Sequence, residues 1–381
     1  MLMAGEVRSR APQMKCSYAY RDLGADRMTT EISRAVRAIA GALCLLLASC
    51  SVPPEIVGID NPEVPVASVP GATRHKVFIA TTREDSEVVG ALFSDLRADE
   101  LGLASVEVSI PPTHVEGDLE RPRKLPPDPR TEFAIVSPAI YANDTAFISA
   151  MNREFDRRSR ENRDALFFVH GYNTTTTEAI LRVAQFVEDS GFEGVPILFT
   201  WASAGKTTRY VYDLNSALVA RPLVLDAAHI VTRTKAEDYH IFAHSMGGFL
   251  TMEAIVDAAQ LDQFDRTGRL RTIVLASPDI DIDLFRSQVS QMNDHFERFF
   301  VLLSKDDYAL RASRFLAGGV PRVGSADAEA LANLGVTAID LTEINDSRTD
   351  SHSKFAGSPE VVQLIGRGLN SIPEYGRMNR T

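Results

Sequence analysis

The chain has 381 residues, 45% of them hydrophobic, and a formal net charge of -11. That is enough apolar material for one large α/β domain with extensions, while the acidic balance, with Lys and Arg scattered among acids, argues against binding a nucleic-acid backbone. All three cysteines, Cys16, Cys44 and Cys50, fall within the first fifty residues, so the rest of the chain has no disulfide, no cysteine nucleophile and no thiolate metal site.

Residues 35–49 form a short apolar run behind Arg34 and Arg37, ended by Leu47-Ala48-Ser49-Cys50. The run is too short for a comfortable membrane span and has small residues where a signal peptidase would cut, so residues 1–49 read as an export signal. Leu-Ala-Ser-Cys resembles a bacterial lipobox, which implies cleavage before Cys50, lipid on its sulfur and a body held at a bacterial membrane facing the periplasm. The polar stretch ahead of Arg27 is unusual for a signal, and Met28 is an alternative start. An uncleaved anchor or a buried N-terminal helix is the competing reading. Pro53, Pro54, Pro62, Pro65 and Pro70 then favour an extended tether, and residues 50–74 are expected to be lipidated cysteine plus linker.

From residue 75 a folded domain is expected to run to 371, followed by a ten-residue tail. Residues 75–82 and 104–110 read as strands, the second stopped by Pro111-Pro112. Residues 115–137 are charged and proline-rich and read as a surface excursion, with a helix over 146–160. Apolar β-rich runs then alternate with helical segments, at 165–169, 195–200, 239–244, 272–276, 298–303 and 336–341. This is the pattern of a mostly parallel sheet with helices on both faces.

Ligands of such sheets bind beyond the carboxyl ends of the strands, so the residues just after each strand carry the functional reading. The elbow-like stretch Ala243-His244-Ser245-Met246-Gly247 puts a serine between residues with almost no side chain, as a strained strand-to-helix turn requires. Alanine replaces the usual first glycine, and an ordinary turn with a capping serine is the alternative. His170-Gly171-Tyr172-Asn173 follows another strand and would leave peptide N–H groups free. With Met246 N–H, Tyr172 N–H would form an oxyanion hole; a plain tight turn is the alternative.

A serine hydroxyl needs a base, itself oriented by a carboxylate. His295 and His352 are the histidines after Ser245, and His352, in the loop after the last strand, is the expected base. Asp307 is the expected acid from its place after the strand ending at Leu303, with Asp306 second and Asp279 third. Trp201 and the segment up to Asn215 read either as part of a cap or, for the tryptophan, as core.

The stretches Phe168-Val169-His170-Gly171-Tyr172-Asn173, Phe199-Thr200-Trp201-Ala202-Ser203, Ala243 to Gly247 and Asp307-Tyr308-Ala309-Leu310, with a histidine after the final strand, resemble the α/β-hydrolase superfamily. Within it they resemble a bacterial esterase/lipase-like branch of unassigned function. That resemblance implies an α/β-hydrolase fold and a Ser-His-Asp triad acting on a small-molecule or lipid ester without metal or organic cofactor. A non-catalytic envelope protein on the same scaffold, or an acyltransferase, would share these features.

Overall fold

The computed structural model describes residues 59–88, 90–292, 296–344 and 351–370. Cys50, Met28, the whole of 1–49 and His295 lie outside the described residues. In chain order the elements are β1 (Thr73–Asp85), β2 (Phe93–Ile110), β3 (Ala134–Ile140), α1 (Asp144–Asp156), β4 (Ala165–Val169), α2 (Thr176–Ser190), β5 (Val195–Thr200), α3 (Tyr210–Thr232), β6 (Tyr239–His244), α4 (Met246–Gln260), β7 (Leu270–Ala276), α5 (Ile282–Ser290), β8 (Phe299–Leu303), α6 (Tyr308–Leu316), α7 (Ala328–Ala332), β9 (Thr337–Asp340), α8 (Lys354–Gly357) and α9 (Pro359–Asn370).

Among the described residues the strands form one nine-stranded sheet in the order β3-β2-β1-β5-β4-β6-β7-β8-β9. The first three pair antiparallel and the other six run parallel from β1 across to β9. Alternation along each strand sorts the core into two layers. Phe78, Phe167 and Val169 join α1, α3, α4 and α5 on one face, and Val77, Leu166 and Phe168 join α2, α8 and α9 on the other. Continuous burial on both faces explains why β4 and β5 are unbroken apolar runs. Helix α2 starts where it does because Thr175 and Glu178 form a reciprocal capping box, and it ends on Gly191 in the left-handed region.

The stretch expected to be a surface excursion contains a strand. Ala134, Ile135 and Val136 pair with β2 as the outermost strand β3, and Pro138 is tolerated there because an edge strand leaves half its donors unused. The tether expected up to residue 74 also needs correction in its described part: Val66 is buried against Ala134 and Val136, and Asn61 Nδ2 donates to Pro127 O at 2.9 Å, so the chain around these residues lies on the body before β1 begins.

One reversal of chain direction across the sheet falls beside β4. After β4 the chain moves to β5 on one side, and after β5 it crosses to β6 on the other. Val169 pairs with Ala243, so β4 and β6 end level and their following loops emerge side by side at this crevice.

Candidate active site

Ser245 follows β6 with φ 53° and ψ -120°, a conformation that a non-glycine residue holds only under compulsion from its surroundings. The compulsion comes from packing. A Cβ at Gly247 would lie 2.3 Å from His170 O, so only glycine lets helix α4 approach the end of β4. Ser245 is the residue before α4, yet its hydroxyl makes no capping bond, which leaves it available for chemistry. Its own N–H donates to Ala276 O at 2.9 Å, and its carbonyl accepts from Gly248 N–H and Asp279 N–H.

The loop after β4 lies against the elbow. A Cβ at Gly171 would sit 3.0 Å from Ser245 Cβ and 2.9 Å from His244 Nδ1. Among the hydrogen bonds of the described residues, the N–H groups of Tyr172 and Met246 have no acceptor. Met246 N–H is free because it opens α4.

Behind this loop is a buried polar network that local sequence patterns did not reveal. Arg83 donates to Thr200 Oγ1, Ser203 O and Thr174 O at 2.9, 2.9 and 2.8 Å, tying β1, the loop after β5 and the loop after β4 together. With its proton engaged away from Arg83, Thr200 faces His170 Nε2 at 3.0 Å, and His170 Nδ1 faces Gly171 O at 2.8 Å. Burial, reinforced by the Arg83 charge, pushes His170 down to about 3, so its ring is neutral and serves as a brace. Trp201 is fully buried, donates from Nε1 to His170 O at 2.9 Å and stacks on the His170 ring. It is core rather than cap.

Asp213, from the first turn of α3, completes the brace. Its carboxylate accepts from Asn173 N–H at 3.1 Å, Ala204 N–H at 2.8 Å and Ser203 Oγ at 2.6 Å. Burial pushes its pKa up while those donors oppose the shift. Beyond the carboxylate, Tyr172 donates its hydroxyl to Thr207 O and packs edge-on against Tyr210. The segment 204–210 thus borders the loop after β4.

In the loops after β8 and β9, Asp307 Oδ2 meets His352 Nδ1 at 2.7 Å. The same carboxylate accepts Leu310 N–H through Oδ1 at 2.9 Å as the cap of α6, so helix initiation fixes its orientation. Asp306 faces elsewhere. It pairs with the buried Lys354 at 3.0 Å, accepts from Ser351 at 2.7 Å and is bonded by Ser304. Burial alone would raise the Asp306 pKa, but these donors hold it down at about 2. Lys354 also donates to Leu341 O at 2.8 Å, which anchors the His352 loop to the end of β9. Asp279 is likewise committed, to Arg322 at 3.1 Å, Tyr210 at 2.9 Å and Ser313 at 2.5 Å. The structure therefore brings Asp307 to His352 and brings neither Asp306 nor Asp279 to that ring.

His244, the residue before the serine, is a further member that the sequence reading passed over. Its ring lies 4.7 Å from that of His352 and 4.8 Å from Phe355, and its Nε2 donates to His352 O at 3.1 Å. Burial and then the nearby His352 charge push it well below the ordinary histidine value, so it is a neutral donor. No group of three or more potential metal-ligating side chains occurs among the described residues.

Comparison with known proteins agrees with this architecture. Residues 146–368 match the family described as alpha/beta hydrolase of unknown function (DUF900). No curated protein matches. Similar solved structures include a hyperthermophilic esterase from the archaeon Pyrobaculum calidifontis (12% identity, 80% of this chain and 85% of that chain covered, TM-score 0.37). Fungal esterases from Rhizomucor miehei (11%, 82% and 86%, 0.34) and a lipase-esterase related protein from Clostridium acetobutylicum ATCC 824 (12%, 55% and 96%, 0.30) are also similar. These likenesses are too distant to transfer anything to this chain. The family match spans more than half of the sequence and includes Tyr172, Ser245, Met246, Asp307 and His352, and the chain belongs to the alpha/beta hydrolases of unknown function.

Proposed function

We propose that this hydrolase cleaves carboxylic esters through an acyl-enzyme on Ser245. The observation that carries the reading is the short contact between Asp307 and His352 Nδ1, on a loop bonded to His244, the residue before a serine held in a strained elbow. The Asp307 carboxylate would keep the proton on Nδ1, leaving His352 Nε2 to take the proton from Ser245 as Oγ bonds to the ester carbonyl carbon. The carbonyl oxygen becomes negative and accepts from Tyr172 N–H and Met246 N–H, each such donor being worth roughly 3 kcal/mol. Collapse of the adduct expels the alcohol, which receives the proton from His352. Water then repeats the sequence and releases the acid. The experiment is turnover of short p-nitrophenyl esters, which Ser245→Ala should reduce by roughly 10⁵-fold or more. Full activity in that variant would end the proposal.

We further propose that Cys50 carries a lipid that tethers the body to the membrane, from the basic flank, short apolar run and Leu-Ala-Ser-Cys sequence. Cys50→Ser should abolish metabolic labelling by a fatty acid, and persistent labelling would refute it.

A further inference from the structure

Two helices leave the site with apolar side chains facing outward. Helix α6 begins at the cap Asp307 and buries only Leu310 and Ser313. Its outer surface presents Tyr308 (63% exposed), Phe315 (84%) and Leu316 (64%), with Ala309 and Ala312 between them. These positions fall at i, i+1, i+4, i+7 and i+8, one continuous helical stripe. Helix α3 begins at Tyr210, which bonds Ser313 of α6 at 3.0 Å, and presents Val211 (68% exposed) with Leu218, Val219 and Pro222 further along. Exposed leucines and phenylalanines occur singly on any protein, but a stripe on each of two helices that meet beside a catalytic centre marks a contact surface.

The charges choose the partner. Residues 308–319 include Arg311 and Arg314 and no acid, and residues 204–212 include Lys206 and Arg209 and no acid, in a chain of net charge -11. All four cations are exposed. Arg311 lies over the Tyr308 ring and Arg314 Nε bonds Gly319 O, so neither is paired with a carboxylate there. Outward Phe, Tyr and Leu flanked by unneutralised arginines suit the boundary of an anionic bilayer, where apolar side chains enter the acyl region and cations meet phosphate. Four exposed cations border this apolar surface, and the two together suit it to turn toward such a membrane.

We infer that α6 and the start of α3 form a face that docks on an anionic phospholipid bilayer and sets the mouth of the Ser245 site against it. Docking requires no turnover, so it stands or falls separately from the ester reading.

The only tryptophan, Trp201, is fully buried, which permits a reporter. In the full chain carrying Phe315→Trp, vesicles of equal phosphatidylglycerol and phosphatidylcholine should shift the added emission to shorter wavelength. Phospholipids brominated on their acyl chains should quench it, and pure phosphatidylcholine should do so much less. Leu261→Trp, at the far end of α4 and roughly 20 Å from Ser245, should be unaffected. Adding Leu316→Ser to Phe315→Trp should raise the lipid concentration for half-maximal shift about tenfold, and Leu316→Ser alone should leave turnover of a soluble ester unchanged. The inference is overturned by an unchanged spectrum at position 315, by equal quenching at position 261, or by a shift without lipid that follows protein concentration, which would make the face a contact between two copies.

Discussion

The two loops that flank Ser245 are held by different physics. The loop proposed to hold the oxyanion, His170 to Thr174, is fixed through its backbone: Asp213 accepts the Asn173 N–H, Arg83 donates to the Thr174 carbonyl, and neutral His170 fills the space between. The base-side loop, Ser351 to Lys354, is fixed through side-chain charge, with Lys354 on Asp306 and His352 on Asp307. A peptide donor must be positioned to a fraction of an ångström before charge develops, which a buried network achieves. An imidazole must instead change its charge during the reaction, which a carboxylate supports directly. The adjacent pair Asp306 and Asp307 divides the work, one carboxylate holding the loop and the other holding the ring.

The largest effect should come from removing the charge that supports the imidazole. Asp307→Asn should lower kcat on a p-nitrophenyl ester by roughly 10⁴-fold, since an amide can hold the ring in the wrong tautomer; a loss below tenfold would give the orienting role to another acid. Next comes Asp213→Asn, which turns an acceptor toward N–H groups into a donor and displaces the Tyr172 peptide. It should lower kcat about 10²-fold with KM nearly unchanged, the signature of an interaction made in the transition state. An equal rise in KM would mean that the loop binds substrate instead. Asp306→Asn should cost only about tenfold in kcat because Asp307 still holds the ring, and roughly 1–2 kcal/mol in urea unfolding, less than a fully buried pair because Asp306 is partly exposed.

The smallest and most general contrast is in pH. His170 is neutral in the folded protein, pushed from 6.5 to about 3, and so the unfolded chain binds more protons below pH 6.5. Stability should therefore fall as pH drops from 6.5 toward 3, with buried His244 acting in the same direction. Asp306 has the opposite chemistry but the same sense. Its pKa is lowered from 3.8 to about 2, so the stability it contributes above 3.8 is lost as pH falls through about 2. Chemical unfolding at pH 7, 5 and 4 should show a decline that begins near pH 6.5, and His170→Asn should flatten it.

The parallel strands and the elbow were legible because their signals are local. Strands buried on both faces must be apolar throughout, and the close approach of α4 to β4 forces Gly247. Strand β3 was hidden by Ser137 and Pro138, which an edge position tolerates. The braces were hidden for another reason. Arg83 and Thr174 are 91 positions apart, Asn173 and Asp213 are 40, and Asp306 and Lys354 are 48, and each reads as an ordinary polar residue until the fold closes the distance. Asp213, one of two acids in the long apolar run of α3, was the clue available. The order of the neighbouring carboxylates was settled by helix capping, because the residue that opens α6 must turn its side chain toward Leu310 N–H and so presents its other oxygen to His352.

The proposed chemistry rests on Ser245 as a nucleophile activated by His352. It is tested most directly by reacting the folded protein with a fluorophosphonate and locating the adduct by mass spectrometry. One adduct is expected, on Ser245, absent in Ser245→Ala and strongly slowed in His352→Ala. An adduct on a different residue, or a folded protein that takes up no reagent, would contradict it.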